Sequence, residues 1–243
     1  MKILVIGSGS IAQRHISNLV LLGHEVLVHS KFFAGRDLVI DGVKLKVIED
    51  PNWVEYGGVV IANSTNEHMP FALLCATSGL PIFIEKPLSN SLDLIYEFLG
   101  IVEKKKLVVE AGFMLHAHKQ INEIKSYISK KYLGDICYVR AAVGQWLPEW
   151  RPGRDYRTGY ASTKDQGGGV LLDLIHEVEL VQSLFGKIQD KRIYKGNCRK
   201  LEIETESIAT INGIFENGAI CHIEMDYIRR NYVRELEIVG DLG

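Results

Sequence analysis

Two spacings of apolar residues alternate through the first 113 residues. Short apolar runs bounded by glycine, proline or charged residues predict strands at residues 2–6, 25–29, 44–48, 58–62, 81–84 and 107–113. Between them, apolar residues three and four positions apart predict helices at residues 11–22, 69–78 and 91–105. Strands that alternate with helices favour a mostly parallel, doubly wound sheet, so this part is predicted to be an α/β domain.

The pattern changes after residue 120. Helices are predicted at residues 120–131 and 168–185, and strands at residues 136–143, 191–197, 207–215, 219–226 and 233–239. Short turns such as Asn217-Gly218 join the later strands, which is typical of an antiparallel sheet. We therefore predict two domains, residues 1–115 and an α+β domain of residues 116–243.

Composition excludes several classes of function. The 243 residues are 47% hydrophobic and 24% charged, with a net charge of -2, which gives no electrostatic footprint for nucleic acid or an anionic membrane. No apolar segment reaches the roughly 18 residues that span a bilayer, and no signal peptide is evident, so we expect a cytoplasmic protein. Irregular spacing without a C-x-x-C pair favours free thiols over disulfides or a zinc site for Cys75, Cys137, Cys198 and Cys221.

The first predicted strand runs directly into the sequence Gly7-Ser-Gly9-Ser-Ile-Ala12 and then into a helix. In a dinucleotide-binding unit the first glycine allows the tight turn, the second lets the backbone approach a pyrophosphate, and the small third residue allows close packing of helix on strand. The N–H groups that begin the helix then hold the phosphate charge. This segment predicts cofactor contacts at Gly7, Gly9, Ser10, Ile11 and Ala12.

Cofactor choice is expected to be made at the end of the second predicted strand. An acidic residue at that position binds the ribose hydroxyls of NAD. Here the strand is followed by Ser30, Lys31 and, further on, Arg36, with no acid at its end. Small polar and basic groups suit a 2′-phosphate, so we expect NADP or NAD with a slight preference for NADP; alternatively, these residues only decorate a surface loop.

Three further motifs, together with the glycine turn, resemble the Gfo/Idh/MocA family of glucose-fructose oxidoreductase and inositol dehydrogenase. They are Ala62-Asn-Ser-Thr65-Asn66-Glu-His68, Glu85-Lys86-Pro87 and Gly167-Gly-Gly-Val-Leu-Leu-Asp173-Leu-Ile-His176-Glu177. The resemblance implies a Rossmann domain followed by a domain with an open antiparallel sheet that often joins subunits, here as a dimer or tetramer. It also implies hydride transfer between a nicotinamide cofactor and a hydroxyl or carbonyl of a sugar, cyclitol or nucleotide-linked sugar.

The resemblance suggests catalytic roles for three residues. Lys86 matches the lysine of the family's Glu-Lys-Pro motif, whose ammonium stabilises charge on the reacting oxygen; alternatively, Glu85 and Lys86 form a surface ion pair. His176 is the candidate general acid or base, because imidazole titrates near neutral pH, or else a core histidine. Asp173 lies three residues earlier on the same predicted helix face and would orient the ring or bind substrate. Most relatives place the aspartate one residue earlier, where this chain has Leu172.

Further binding residues follow from the same resemblance. The cofactor's nicotinamide and ribose side is expected to meet Thr65, Asn66 and His68, although these residues could also cap the following helix. Further cofactor contacts are expected from Asn63, Ser64, Glu85 and Lys86. His116 stands where many relatives carry an arginine, and we expect it to contact the substrate. His116 and His118 have strand spacing, but no third ligand accompanies them, so no metal site is predicted.

The segment Gln145–Tyr160 is rich in aromatic and basic residues. Flat apolar faces and planar guanidinium groups suit a sugar that bears an anionic group. We expect substrate contacts from Trp150, Arg154, Tyr156 and Arg157. The alternative is an oligomer contact or a packed loop, since the same residue types dominate interfaces.

The sequence ends directly after the last predicted strand, whereas members of the family usually continue for several elements. We therefore expect the second domain to be truncated at its C-terminus. Two functions stay open at this point: an NAD(P)-dependent oxidoreductase, and a non-catalytic dinucleotide-binding sensor or regulatory subunit.

Overall fold

The computed structural model describes all 243 residues and divides them into two compact units, Met1–Gly112 and Phe113–Gly243. The domain boundary predicted from the sequence follows residue 115, which lies within the 3-10 turn Met114–Ala117. No helix in the structure is both long enough and apolar enough to cross a lipid bilayer.

The first unit is a parallel sheet with helices packed on it, as predicted. Its strands are β1 (Lys2–Ile6), β2 (Glu25–His29), β3 (Leu38–Ile40), β4 (Val43–Leu45), β5 (Gly58–Ile61), β6 (Ile82–Ile84) and β7 (Val109–Ala111). Its helices are α1 (Ser10–Leu21), α2 (His68–Thr77) and α3 (Ile95–Lys105). The main sheet has the order β2-β1-β5-β6-β7, and every pairing in it is parallel.

Both faces of this sheet are covered, which explains the unbroken apolar run of β1. Leu4 and Ile6 pack into the hydrophobic cluster on one face, and Ile3 and Val5 pack into the cluster on the other. The strand order reverses between β1 and β5, because the chain runs outward from β1 to β2 and then returns to β5. Loops that follow adjacent strands at such a reversal diverge and leave a crevice where ligands bind in open α/β folds.

Two elements of the first unit differ in the structure from their predicted bounds. Instead of one strand at residues 44–48, the chain forms the antiparallel hairpin of β3 and β4, and only Val47 pairs with Val28 beside β2. The cause is the dipeptide Asp41-Gly42, whose φ values of 49° and 77° suit a tight hairpin turn. Helix α3 begins at Ile95 rather than residue 91, because Leu94 adopts the left-handed conformation.

The second unit is an α+β domain with an open sheet. Its elements are α4 (Lys119–Ser129), β8 (Ile136–Gly144), α5 (Val170–Asp173), α6 (His176–Phe185), β9 (Gln189–Gly196), β10 (Ile208–Ile214), β11 (Ile220–Asp226) and β12 (Val233–Gly240). The sheet order is β12-β8-β11-β10-β9. Three pairings are antiparallel, but β8 and β11 pair in parallel because a long crossover through α5, α6, β9 and β10 separates them.

One face of the second sheet forms the core. In β11, Cys221, Ile223 and Met225 are buried, whereas the alternate residues His222 and Glu224 lie on the opposite face and are partly exposed. The buried side chains pack with residues of α5 and α6 in a single hydrophobic cluster. Alternate side chains of the sheet therefore face the helices, and the other face of the sheet carries no helix of this unit.

Candidate functional site

The turn after β1 requires glycine at its first position for reasons internal to the protein. Gly7 has a φ of 119°, and an added Cβ would lie 2.5 Å from the carbonyl oxygen of Ala62, in the segment that follows β5. Its N–H donates a hydrogen bond of 2.9 Å to the carbonyl of His29 at the end of β2. Gly7 thus holds the ends of three neighbouring strands close together.

Gly9 differs from Gly7, because the fold itself does not require a glycine there. Its φ of -70° is open to any residue, and an added Cβ would meet no atom within 4 Å. Gly9 is the N-cap of α1, whose first turn has neither a side-chain cap nor an acidic residue, and Ala12 beneath it is fully buried. The space beside Gly9 and the N–H groups that face it suit the close approach of a phosphate.

The end of β2 carries the residues predicted to select the cofactor. Ser30 is buried, and its hydroxyl lies 2.8 Å from that of Ser8 in the glycine turn. The Lys31 ammonium lies 2.5 Å from the carboxylate of Glu67, and this hydrogen bond lowers the pKa of Glu67. Arg36 donates to the carbonyl of Phe32 at 2.7 Å. The structure thus brings to Lys31 an acidic partner that sequence reasoning missed, because that reasoning looked for an acid only at the end of β2.

The segment after β5 is held by a buried histidine. His68 is 1% exposed, and its ring nitrogens lie 2.9 Å from the carbonyl oxygen of Pro87 and 3.2 Å from that of Asn63. Burial lowers the pKa of His68, so the ring is neutral at pH 7 and has one N–H to donate. His68 was predicted to contact the cofactor; the structure gives its side chain a supporting position between two loops.

The other residues of this segment remain near the sheet edge. Thr65 is buried, Asn66 is exposed, and neither Ser64 nor Glu67 makes a side-chain hydrogen bond that caps the following helix. Asn63 donates to Glu67 at 3.3 Å, while its buried side-chain oxygen has no hydrogen-bond partner within the protein. A buried amide oxygen of this kind favours a ligand donor group nearby.

Glu85, Lys86 and Pro87 directly follow β6, and the Lys86–Pro87 peptide bond is cis. Glu85 has a side chain that is 12% exposed, and its Oε1 lies 2.7 Å from Nε2 of His15 on α1. Its Oε2 accepts a hydrogen bond of 3.3 Å from the backbone N–H of Lys86. Glu85 is therefore part of an internal network rather than a solvated surface residue.

In the second unit, the prediction that Asp173 and His176 share one helix is wrong. Helix α5 ends at Asp173 and α6 begins at His176, because Leu174 leaves the helical conformation with a ψ of 27°. Leu174 is buried in the core, and Tyr227 donates from its hydroxyl to Asp173 at 3.2 Å. These tertiary contacts override the continuous helical periodicity of the sequence.

His176 is 8% exposed, and its ring contacts that of Phe113 edge to face at 5.9 Å between centroids. The next residue, Glu177, is 3% exposed and lies 2.7 Å from the guanidinium of Arg234 on β12. Burial, reinforced by the nearby carboxylate of Asp173, raises the pKa of Tyr227 well above its ordinary value, which keeps its phenol a hydrogen-bond donor. Sequence reasoning missed Tyr227 and Arg234, because no local motif marks either of them.

His116, predicted to contact substrate, pairs with a helix of its own unit. Its Nε2 lies 2.7 Å and 2.8 Å from the two carboxylate oxygens of Glu179 on α6, and the ammonium of Lys125 lies 3.3 Å from its Nδ1. Glu179 is one helical turn after His176. His116 thus fixes the first turns of α6.

The aromatic and basic segment is partly packed and partly paired. Trp150 and Tyr156 pack against the core, and Trp150 meets Tyr227 edge to face at 5.2 Å. Arg157 is bound to Asp155 at 2.9 Å and to Glu202 at 3.2 Å, which leaves Arg154 as an exposed guanidinium of the segment. A cavity of about 190 Å³ in the second unit is lined in part by Gln145, Trp150, Leu174, Tyr232 and Arg234.

Comparisons with known proteins agree with this architecture. The sequence profile of the GFO/IDH/MocA C-terminal domain matches residues 121–243. The uncharacterized oxidoreductase YrbE of Bacillus subtilis is 26% identical over 98% of this chain and 71% of its own length. Myo-inositol 2-dehydrogenase of Lactobacillus plantarum superposes with a TM-score of 0.83 at 19% identity, over 100% of this chain and 75% of its own. Scyllo-inositol dehydrogenase of Lactobacillus casei, solved with NAD(H) and scyllo-inositol, superposes with a TM-score of 0.81 at 20% identity. The match covers 100% of this chain and 74% of that protein.

The chain spans only part of the length of its relatives. Other curated proteins match over between 30% and 56% of their own length. At the identities observed, the solved structures establish a shared fold.

Proposed function

The chain belongs to the GFO/IDH/MocA family of oxidoreductases, and from this premise we propose that it transfers a hydride between NAD(P) and a hydroxyl or carbonyl of a sugar, cyclitol or nucleotide-linked sugar. The observation that carries the proposal is the sheet edge of the first unit. There, the open space at Gly9 and the Glu85-Lys86-Pro87 segment follow strands β1 and β6, with only β5 between them.

The residues at this edge fit a dinucleotide. No protein atom lies within 4 Å of a Cβ built at Gly9, so a ligand can approach the backbone there. The N–H groups that begin α1 suit the pyrophosphate, and the buried side-chain oxygen of Asn63 suits a hydrogen-bond donor of the ligand. When bound, the nicotinamide supplies or accepts the hydride. The protein's part is to place its own polar groups around the reacting atoms.

A preference for NADP rests on the end of β2. Ser30, Lys31 and Arg36 offer small polar and basic groups for a 2′-phosphate, and β2 ends without an acid. Glu67 opposes this preference, since it pairs with Lys31 and would repel a phosphate. We propose that Lys31 exchanges Glu67 for the 2′-phosphate when NADP binds.

Proton transfer is assigned to two residues. Lys86 donates a hydrogen bond to the reacting oxygen and stabilises negative charge that develops on it. His176 takes the hydroxyl proton in the oxidation direction and returns it in reduction. Asp173, held by Tyr227, acts as the neighbouring carboxylate that binds a substrate hydroxyl or orients the imidazole.

Substrate contacts are proposed for the cavity and its surroundings in the second unit. Trp150 lines the cavity and offers a flat apolar face, and Arg154 is an exposed cation of the same segment. Arg157 and Tyr156 support the segment through the bond of Arg157 to Asp155 and the packing of Tyr156. The relatives named inositol dehydrogenases favour a polyol or sugar ring as the substrate class.

A second copy of the chain is the proposed partner for the open sheet face. That face carries several large apolar side chains with high exposure, namely Tyr194 at 59%, Ile220 at 57% and Ile214 at 41%. Apolar patches of this kind mark interaction surfaces. Sedimentation velocity is expected to show a dimer or tetramer, and substitution of Ile220 by aspartate is expected to dissociate it.

The activity is tested with a panel of polyols, sugars and nucleotide sugars, followed by the absorbance of reduced nicotinamide. We expect turnover with at least one compound, and a loss of about 100-fold or more in kcat for Lys86→Ala and His176→Ala. Tight dinucleotide binding without turnover for any compound would instead support the sensor alternative.

Cofactor preference is tested by the dissociation constants of NADPH and NADH. Lys31→Ala is expected to weaken NADPH binding by about 10-fold, the loss of one charge-assisted contact, and to leave NADH binding nearly unchanged. Tighter binding of NADH by the unaltered protein would contradict the preference.

A further inference from the structure

We propose that His15 and Glu85 form a positioning pair that fixes the backbone of Lys86 relative to helix α1. This inference rests on the proposed function, because it assigns Lys86 to the reacting oxygen and the N-terminus of α1 to the pyrophosphate. The pair lies wholly within the first unit, and its two residues are 70 positions apart in sequence.

The Glu85 carboxylate has two oxygens and two different partners. Oε1 lies 2.7 Å from Nε2 of His15, and Oε2 accepts from the backbone N–H of Lys86 at 3.3 Å. An ionised carboxylate only accepts hydrogen bonds, so His15 must carry a proton on Nε2. One side chain therefore connects the second turn of α1 directly to the residue assigned to catalysis.

The structure also provides a fitted space for this carboxylate. Gly112 follows β7, and a Cβ at that position would lie 2.9 Å from Oε2 of Glu85. The φ of Gly112 is not in the left-handed region, so space alone accounts for the glycine. Its N–H donates to the carbonyl of Ile84 at 2.8 Å, which keeps the glycine beside the start of the Glu85 segment.

His15 is also held by contacts of its own. Its side chain is 22% exposed, and its ring meets that of Phe83 on β6 edge to face at 5.1 Å between centroids. The backbone of Glu85 is fixed by its N–H, which donates to the carbonyl of Ile61 at 2.9 Å. Every part of the bridge from α1 to Lys86 is thus constrained by a neighbouring strand.

The pair should matter for how precisely Lys86 is placed relative to α1. If the N-terminus of α1 holds the dinucleotide, the position of Lys86 relative to that helix determines how well its ammonium can reach the reacting oxygen. A misplacement of about 1 Å can cost about 100-fold in rate. The pair ties both anchors to one carboxylate, so its loss should lower kcat and leave the affinity for the dinucleotide largely intact.

The test compares His15→Leu, Glu85→Ala and Gly112→Ala with the unaltered protein. Each is expected to lower kcat by about 10- to 100-fold, while the dissociation constant of the dinucleotide changes by less than about 3-fold. Combining His15→Leu with Glu85→Ala should lower kcat no further than Glu85→Ala alone, since both remove the same bridge. The matched control is Glu55→Gln, which removes the charge from the exposed pair of Glu55 with Lys2 in the same unit and should leave kcat unchanged.

Glu85→Gln distinguishes positioning from a general loss of structure. Its amide oxygen can accept from Lys86, and its amide nitrogen can donate to Nε2 if the His15 proton moves to Nδ1. Most of kcat should therefore be restored, and nitrogen NMR of the ring should show Nε2–H in the unaltered protein and Nδ1–H in Glu85→Gln.

The outcomes separate the pair from the activity on which it rests. If Lys86→Ala abolishes turnover but His15→Leu and Glu85→Ala retain full kcat, the pair is refuted and the proposed function stands. If these variants lose kcat and dinucleotide affinity in equal measure, the positioning role is also refuted. Absence of turnover in the unaltered protein refutes the proposed function, whereas the ring NMR still reports on whether His15 donates to Glu85.

Discussion

The two units position their candidate chemistry by different means. In the first unit, the glycine turn, the Asn63 segment and the Glu85 segment follow three parallel strands that lie side by side, so the sheet itself brings them together. In the second unit, Asp173 and Glu177 are held by Tyr227 and Arg234, side chains more than 50 residues away. Backbone geometry therefore dominates one region, and long-range side-chain pairs dominate the other.

The largest effect is expected at the glycine turn. Gly7→Ala should lower the free energy of unfolding by about 3 to 5 kcal/mol, because the new Cβ meets a backbone carbonyl and φ is unfavourable for alanine. Dinucleotide binding should be lost with it. Urea unfolding and a fluorescence titration with NADPH measure the two effects.

Gly9→Ala is the matched control in the same turn. Its φ is ordinary and no atom lies near the new Cβ, so stability should fall by no more than about 1 kcal/mol, the cost of alanine at an N-cap. The affinity for the dinucleotide should nevertheless fall, because the methyl group occupies the space assigned to the pyrophosphate. Equal stability losses in the two variants would show that the two glycines do not have separate roles.

Loss of the ion pair between Arg234 and the buried Glu177 should have the next largest effect on stability. Arg234→Met removes the cation beside Glu177, a carboxylate that is 3% exposed, and should cost about 2 to 3 kcal/mol of unfolding free energy. Chemical unfolding measures the loss. Adding Glu177→Gln should restore part of it, since the buried charge is then gone.

Arg192 provides the comparison for that prediction. It is an exposed arginine on β9 of the same sheet, and Arg192→Met should change stability by no more than about 0.5 kcal/mol. If both arginine variants are equally stable, the pairing of Arg234 with Glu177 does not hold α6 in place.

A smaller effect is expected from the hydrogen bond to Asp173. Tyr227→Phe removes the donor hydroxyl and should cost about 1 to 2 kcal/mol. Tyr227→Phe should also lower kcat while changing KM little, because Asp173 is then oriented less well. The exposed Tyr96 on α3 is the control, and Tyr96→Phe should leave both quantities unchanged. If Tyr227→Phe also leaves them unchanged, Tyr227 does not position Asp173.

The contrast between local backbone geometry and long-range side-chain pairs also explains which features could be predicted from the sequence. Gly7, Gly9 and the strand that precedes them form a local motif with a local physical cause, so their geometry could be anticipated. The break between Asp173 and His176 could not, because it depends on the burial of Leu174 and on Tyr227, far along the chain. The pairing of Lys31 with Glu67 was missed for a related reason, since it joins segments that only the strand order brings together.

The last prediction concerns pH and returns to the first unit. Burial lowers the pKa of His68 below the 6.5 of an exposed histidine, so the unfolded chain binds this proton more readily than the folded protein. Above pH 6.5 the residue contributes no pH dependence, and as the pH falls below that value the free energy of unfolding should decrease, by at most about 1.4 kcal/mol per pH unit. His68→Gln and His68→Leu differ in absolute stability, but both should lose this part of the slope between pH 7 and pH 5 in urea unfolding. Curves parallel to that of the unaltered protein would mean that His68 takes up a proton as readily in the fold as in the unfolded chain, and the charged ring would then donate to the carbonyls of both Pro87 and Asn63.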